Sequence, residues 1–581
     1  MINQLSWKVG GQQGEGIEST GEIFAIALNR LGYYLYGYRH FSSRIKGGHT
    51  NNKIRVSTTQ VRSISDDLDI LVAFDQETID VNFDELHEGG VVIADAKFNP
   101  TIPEGSNVTL YAVPFTEIAT ELGTSLMKNM VAVGASSAVL DLEVEEFREV
   151  VQEIFGRKGE KIVEKNMEAI KQGAQYIKEQ SGGNVQMMQL EKADGNKRLF
   201  MIGNDAIAMG FLSGGVRFMP AYPITPASEI MEYLIKKLPD FGGTVIQTED
   251  EIAACTMAIG ANYAGTRAVT ASAGPGLSLM MEAIGLSGMT ETPLVVVDTQ
   301  RGGPSTGLPT KVEQSDLMAM IFGTHGDIPK VVMAPSTVQE AFYDAIEALN
   351  IAEEYQCPVI LLTDLQVSLG KQTVEPLDYS KIEVRRGNFD PKAELPELEP
   401  KESFKRYAVT EDGVSKRVIP GMKHGIHHVT GVEHSENGRP SEVAENRKAQ
   451  MDKRLRKLNN LAEKFPTPVH VDAKHDEADV LIVGFNSTRG GIEEAMGRLE
   501  ADGYKVNHAH IRLIHPFPVE QMKPLVESAK KVVVVEYNGT GQLASIVKMN
   551  LGHHDKIESM LKYDGNPFKP NEIHHRIKEM F

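Results

Sequence analysis

One pattern constrains the fold of this sequence more than any other. Short, wholly apolar runs recur along the chain, separated by stretches with helical spacing. The runs include Asp69-Ile70-Leu71-Val72-Ala73-Phe74, Val91-Val92-Ile93-Ala94-Asp95, Pro293-Leu294-Val295-Val296-Val297-Asp298, Val359-Ile360-Leu361-Leu362 and Lys531-Val532-Val533-Val534-Val535-Glu536. A strand with one wet face alternates apolar and polar residues. These runs do not alternate, so both faces are expected to be buried, as in a parallel sheet covered by helices. Each is far too short to span a membrane as a helix. The fold class is therefore α/β. A chain of 581 residues exceeds one ordinary core, so the architecture is expected to be multidomain.

Boundaries follow from where the pattern lapses. The first α/β unit opens with Trp7-Lys8-Val9 and the turn Gly10 to Gly16, and ends in a charged helix near Gln180; its span is residues 1–182. A polar linker covers 183–197, starting in the Ser181-Gly182-Gly183-Asn184 stretch. A second unit spans 198–374, with a further strand expected at Thr244-Val245-Ile246-Gln247 in the same buried style. Over 375–465 strand signals fade and Pro, Glu, Lys and His dominate, which reads as an irregular connecting segment. Within it, Met451, Leu455, Leu458 and Ala462 at helical spacing suggest a solvated amphipathic helix with an apolar stripe. A third α/β unit occupies 466–581.

Composition removes several function classes. The net charge of −19 repels phosphate backbones, so no nucleic-acid partner is expected. Two cysteines, Cys255 and Cys357, exclude a disulfide framework, and an iron–sulfur cluster held by this chain alone would need four thiolates. His424, His427, His428 and His434 cluster without zinc-type spacing, so they read as surface or core histidines and no metal site is assigned. Met-Ile-Asn-Gln-Leu-Ser-Trp-Lys at the start lacks a basic region followed by an apolar stretch, so a cytoplasmic location is expected.

Four segments carry candidate chemistry. In Ala221-Tyr222-Pro223-Ile224-Thr225-Pro226-Ala227 two prolines stiffen a strand-to-helix junction. There Thr225 either presents its hydroxyl to a ligand or simply caps the helix. Glu249-Asp250-Glu251 leads into a run of small and apolar residues, which places Glu251 at the edge of a core. A carboxyl there can hold a proton near neutral pH; the plain alternative is charge complementarity at a helix N-terminus. Ser272-Ala273-Gly274-Pro275-Gly276 follows a strand as a tight turn that lets a ligand approach Gly274. Gln300-Arg301-Gly302-Gly303 through Thr310 follows the carboxyl end of a buried strand, where open α/β sheets place ligands. Its single guanidinium suits a carboxylate held by paired hydrogen bonds, or the stretch is a plain surface loop.

Tyr222-Pro223-Ile224-Thr225-Pro226, then Glu251, then Arg301 through Thr310 resemble, in order and spacing, the 2-oxoacid:ferredoxin oxidoreductases. Gly10 to Ile17 with Ser43-Arg44-Ile45-Lys46-Gly47-Gly48-His49 looks like that family's small gamma domain. Ala478 to about Gly552 looks like its transketolase-carboxyl-terminal-type domain. The resemblance is to long alpha subunits of the 2-oxoglutarate type, with gamma fused ahead of alpha. It implies a gamma-type domain, a thiamine-diphosphate pyrimidine-binding domain and a transketolase C-terminal-like domain. It also implies roles: Glu251 at the aminopyrimidine ring of thiamine diphosphate, with Gly274 close to the cofactor. Tyr222, Thr225, Arg301 and Thr310 would hold the 2-oxoacid, Arg301 at its carboxylate. Arg44, Lys46 and Gly47 would contact coenzyme A. No Gly-Asp-Gly for the diphosphate occurs in the chain. A beta subunit would therefore carry the diphosphate half-site, Mg2+ and a 4Fe–4S cluster, in an alpha-beta dimer or alpha2-beta2 assembly that passes electrons to ferredoxin. Two other readings stand beside this one: another thiamine enzyme, such as a pyruvate-specific oxidoreductase or a decarboxylase, and a scaffold subunit without chemistry.

Overall fold

The computed structural model describes residues 1–41 and 48–581. The expected coenzyme A contacts Arg44, Lys46 and Gly47 lie outside the described residues. Two compact units make up the chain: Met1–Met201 with Gly370–Pro376 and Lys569–Ile573, and the remainder.

The first unit is built on an eight-stranded sheet. Strands Thr109–Val113, Leu86–Asp95, Leu68–Ala73 and Gln4–Gln12 run parallel, and the middle two carry the apolar runs read at 69–74 and 91–95. The other half is antiparallel: His49–Ser57, Tyr34–His40, Gln372–Val374 and Leu199–Met201. The last two strands differ from the sequence reading, which put them at the ends of the second unit. Three-residue strands bury too little to form a sheet alone, and they extend an existing edge instead. Helices Lys128–Leu140 and Glu160–Gln180 cross at glycines: a Cβ on Gly134 would sit 1.8 Å from the Ile170 carbonyl oxygen, and one on Gly173 would sit 2.1 Å from that of Val131. Trp7 stacks on Phe24 and donates to Ser136 Oγ at 3.1 Å, which satisfies the one polar atom of a fully buried indole.

The second unit holds two five-stranded sheets. In one, Val269–Ser272, Leu294–Gln300, Pro358–Asp364 and Val331–Met333 are parallel, and Leu513–His515 adds an antiparallel edge. In the other, Val506–Ile511, Ala478–Gly484, Ala529–Glu536 and Ile557–Leu561 are parallel and Val469–Ala473 is antiparallel. One apolar cluster runs from Leu294 and Val332 to Leu481 and Val532, so the two sheets share a core. Thr244–Gln247 departs from its expected burial. Among the described residues it pairs only with Phe218–Ala221, and three of its four residues are exposed.

Residues 382–443 contain neither helix nor extended strand among the described residues. The helix Ala444–Arg456 corrects the amphipathic reading: Gln450, Lys453 and Arg454 face inward, while Leu455 is 43% exposed. Lys453 and Lys457 both reach Glu291, at 2.7 and 2.5 Å, and all three side chains are fully buried. Arg406 donates to the Glu291 main-chain oxygen at 2.7 Å. A second buried carboxylate, Glu353, pairs with Arg267, Arg386 and Arg417. Buried charge pairs anchor this segment together with Leu458, the one residue of the expected stripe that is buried. His427 and His434 lie among Tyr263, Phe404 and Tyr407, where burial lowers their proton affinity. Among the described residues no group of three His, Cys, Asp or Glu is placed to hold a metal, and no helix is long and apolar enough to cross a membrane.

Candidate active site

The site forms where the helix Gly274–Thr290 begins, immediately after the buried strand Val269–Ser272. Its cap residue Ala273 offers no side chain to the free backbone N–H groups. Two glycines in the first turn admit two acids. A Cβ on Gly276 would lie 2.0 Å from Ser272 Oγ and 2.6 Å from Glu251 Oε1, and one on Gly274 would lie 2.9 Å from Asp316 Oδ2. Any larger residue would displace those groups.

Glu251 is the first residue of the helix Glu251–Tyr263 and is only 6% exposed. Asp250 is the cap, accepting from Ala253 N at 2.8 Å, so the Glu251 side chain is left free of that task. Its carboxylate has no hydrogen-bond partner among the described residues. Glu249, two residues earlier, is exposed.

Arg301 leaves the carboxyl end of the fully buried strand Leu294–Gln300 and is itself buried. Its Nη1 donates to the Thr225 carbonyl oxygen at 2.7 Å and its Nη2 to that of Thr306 at 3.3 Å, while Nε is buried without a partner. The neighbouring Pro226 carbonyl accepts from Asn204 Nδ2 at 2.6 Å. The Tyr-Pro-Ile-Thr-Pro segment is thus tied to Arg301 through its main chain. Thr225 is not a helix cap, because the helix begins at Ser228 with Ala227 in that position. Tyr222 stays exposed, and Thr310 is buried at the end of the loop.

A cavity of about 530 Å³ opens beside these groups, lined by Gly274, Arg301, Glu313, Asp316, Asn538 and Gln542 among others. The sequence reading brought Arg301 and Gly274 to this cavity and Glu251 to the far side of the same helical turn. It missed the rest. Gln314 N donates to the Tyr537 carbonyl at 2.6 Å and Gln542 Nε2 to the Ser315 carbonyl at 2.8 Å, so the loop after Thr310 is gripped by the C-terminal sheet. Asp298 was also passed over, although an acid closing the run Leu-Val-Val-Val is a visible signal. It is fully buried, neither carboxyl oxygen has a partner, and burial together with Asp316 pushes it well above the usual carboxylate range. Burial and Glu313 raise Asp316 to about 6 against the opposing charge of Arg301. Cys255 and Cys357 are buried free thiols pushed up to about 12 by burial, poor nucleophiles and poor ligands.

Comparison with known proteins supplies the family. Residues 209–453 match the family described as pyruvate flavodoxin/ferredoxin oxidoreductase, thiamine-diphosphate-binding; residues 6–176 match pyruvate ferredoxin/flavodoxin oxidoreductase; and residues 478–573 match pyruvate:ferredoxin oxidoreductase core domain II. The chain is 35% identical to the alpha subunit of a 2-oxoacid:ferredoxin oxidoreductase from a Sulfolobus species, over 98% of this chain and 96% of that one. It is 32% identical to the 2-oxoglutarate oxidoreductase subunit KorA of Mycobacterium tuberculosis, over 97% and 89%. The structure is similar to that of a 2-oxoglutarate:ferredoxin oxidoreductase from Magnetococcus marinus, with 2-oxoglutarate, coenzyme A and succinyl-CoA bound. The TM-score is 0.92 at 36% identity, with all of both chains covered.

Proposed function

The chain belongs to the 2-oxoacid:ferredoxin oxidoreductases, as an alpha subunit with a gamma-type domain at its N-terminal end, and from that premise we propose that it acts in the coenzyme A-dependent oxidative decarboxylation of 2-oxoglutarate to succinyl-CoA. The observation that carries the site reading is the first turn of the helix Gly274–Thr290, which sets an unpartnered buried Glu251 on one side and the Arg301 cavity on the other. The substrate assignment is supported by the whole-length similarity to an enzyme described with that substrate bound.

Glu251 fits the edge of an aminopyrimidine: it is buried, and its carboxylate has no hydrogen-bond partner among the described residues, which leaves it open to a ring nitrogen. Thiamine diphosphate, when bound, supplies the carbon nucleophile and the electron sink for loss of carbon dioxide. Arg301 orients the substrate carboxylate, and the Thr225 carbonyl in turn orients Arg301. Thr310 closes the loop that carries Arg301, and Tyr222 stands at the exposed rim. We assign the diphosphate half-site, Mg2+ and a 4Fe–4S cluster to a beta partner, and electrons to ferredoxin, because this chain has no Gly-Asp-Gly and only two cysteines. An alpha-beta or alpha2-beta2 enzyme in the cytoplasm follows from the same reading. The test is turnover of the purified alpha–beta complex against a panel of 2-oxoacids with coenzyme A. The highest kcat/KM is expected for 2-oxoglutarate; a clear preference for pyruvate would overturn the substrate assignment. The isolated chain is expected to be colourless and inactive.

A further inference from the structure

The cavity wall holds an acid that the reading above leaves unused. Asp316 borders the same cavity as Arg301, and each charge shifts the other's proton affinity. Yet the Arg301 Nε–H and the Asp316 Oδ2 are both buried without hydrogen-bond partners. Both side chains line the cavity, and an anion seated there against both is held by the Asp316 carboxyl only if that carboxyl carries a proton. Two carboxylates facing one another in a poorly solvated site repel; one carboxylate and one carboxylic acid share a strong hydrogen bond. Resting on the assignment of Arg301 to the substrate carboxylate, we propose that Asp316 is a second substrate-binding group. It takes the 2-oxoacid in protonated form and donates that O–H to the substrate, so each molecule captured draws one proton from solvent.

The surroundings single out Asp316. Its backbone N–H donates to Gln300 Oε1 at 3.1 Å, which fixes it against the strand end. The strand Leu294–Gln300 presents Asp298, the loop beyond it Arg301, and Asp316's own segment Glu313. The first turn of the helix presents Gly274 and Pro275, with Glu251 beyond them against Gly276. The segments that follow the C-terminal strands present Asn538, Thr540, Gln542 and Tyr563, none of them a carboxylate or a cation. Glu313 is engaged by Gly303 N at 3.2 Å and by Ser315 Oγ at 3.1 Å. Asp298 lies deeper and is fully buried, out of reach of solvent, and burial together with Asp316 raises its proton affinity. Exchange with solvent therefore falls to Asp316 at the cavity wall.

The experiment is the pH dependence of KM and kcat for the alpha–beta holoenzyme, comparing wild type, Asp316→Asn and Arg301→Lys. Wild-type KM should climb by up to about tenfold per pH unit between about pH 6 and pH 8, with kcat changing less. Asp316→Asn keeps a donor that cannot titrate, so its KM should stay within about threefold over that range. Arg301→Lys should raise KM at every pH and keep the wild-type slope. A flat wild-type KM, or a wild-type slope in Asp316→Asn, overturns the proposal. An unchanged KM in Arg301→Lys instead removes the assignment on which it rests. Calorimetry of the wild-type complex with 2-hydroxyglutarate, which has no keto carbon to attack, in two buffers of different ionisation enthalpy needs no variant. It should show uptake of about one proton per site, and no uptake would sink the idea.

Discussion

The two ends of the helix Gly274–Thr290 treat buried acids in opposite ways. At its start, Glu251 and Asp316 crowd the first turn, Asp298 and Asp316 keep buried carboxyl oxygens without partners among the described residues, and both aspartates are pushed above their usual range. At its end, Glu291 is as deeply buried, yet Lys457, Lys453 and Arg406 outweigh the cost of burial and hold its carboxyl at about 2. Burial by itself therefore does not mark a functional acid. An acid whose charge is answered by fixed cations is part of the scaffold, and one left unanswered beside a cavity is available to a ligand.

The sharpest way to break this contrast is to neutralise the answered acid. Glu291→Gln leaves Lys453 and Lys457 buried together without a counter-charge. It should cost about 3–5 kcal/mol of stability, read as a fall in melting temperature of the chain. A melting temperature within a degree or two of wild type would mean that the ion cluster is ornamental. Neutralising an unanswered acid should do the reverse. Glu251→Gln is expected to cut turnover of the holoenzyme by roughly a hundredfold or more, about 2.7 kcal/mol in barrier height, with the melting temperature and bound thiamine unchanged. Turnover near wild type would move the role elsewhere, first to Glu249.

Arg301 tests the cavity side of the contrast. Lysine keeps the charge and loses the planar fork, so Arg301→Lys should raise KM and lower kcat, at a cost of about 1.5–3 kcal/mol. Because Arg301 also ties the Thr225 and Thr306 carbonyls, a small loss of stability is expected too. A collapse in melting temperature with normal substrate binding would make it structural.

Acid titration separates the two ends by sign. Glu291 titrates near 4.5 unfolded and about 2 folded, so its contribution is present above about pH 4.5 and is lost as the pH falls toward 2. Asp316 titrates near 3.8 unfolded and about 6 folded, so stability through it falls as the pH rises from about 3.8 to 6. Melting curves of Glu291→Gln and Asp316→Asn, each subtracted from wild type across pH, should slope in opposite directions. The smallest effect belongs to the stripe read from the sequence. Leu455→Ser on the exposed side of the helix Ala444–Arg456 should change stability by no more than about 0.5 kcal/mol; a larger loss would mean that this face is covered.

Much of this was legible before any fold was known. The apolar runs announced the parallel strands, because a strand covered on both faces has no reason to alternate. Glu251 and Arg301 stood out because each sits at the boundary of a regular element, Glu251 at the start of a helix of small and apolar residues and Arg301 just past a buried strand. The reading failed where local pattern and tertiary partners disagree. Met451 and Leu455 have helical spacing, but Glu291, some 160 positions away, makes the lysine face the buried one. Thr244–Gln247 has the composition of a core strand and finds only one neighbour.

The sequence alone therefore determined the α/β class, the family, the order of the elements and the residues at the strand ends, since periodicity, turn chemistry and motif spacing are properties of neighbouring positions. Only the tertiary structure decided which acids are answered. That depends on how much water is excluded and on which charges arrive from distant parts of the chain. Asp298 and Asp316 are ordinary acids in the sequence. Their proton affinity rises because the strand Leu294–Gln300, the first turn at Gly274 and the loop gripped by Gln542 close around them together.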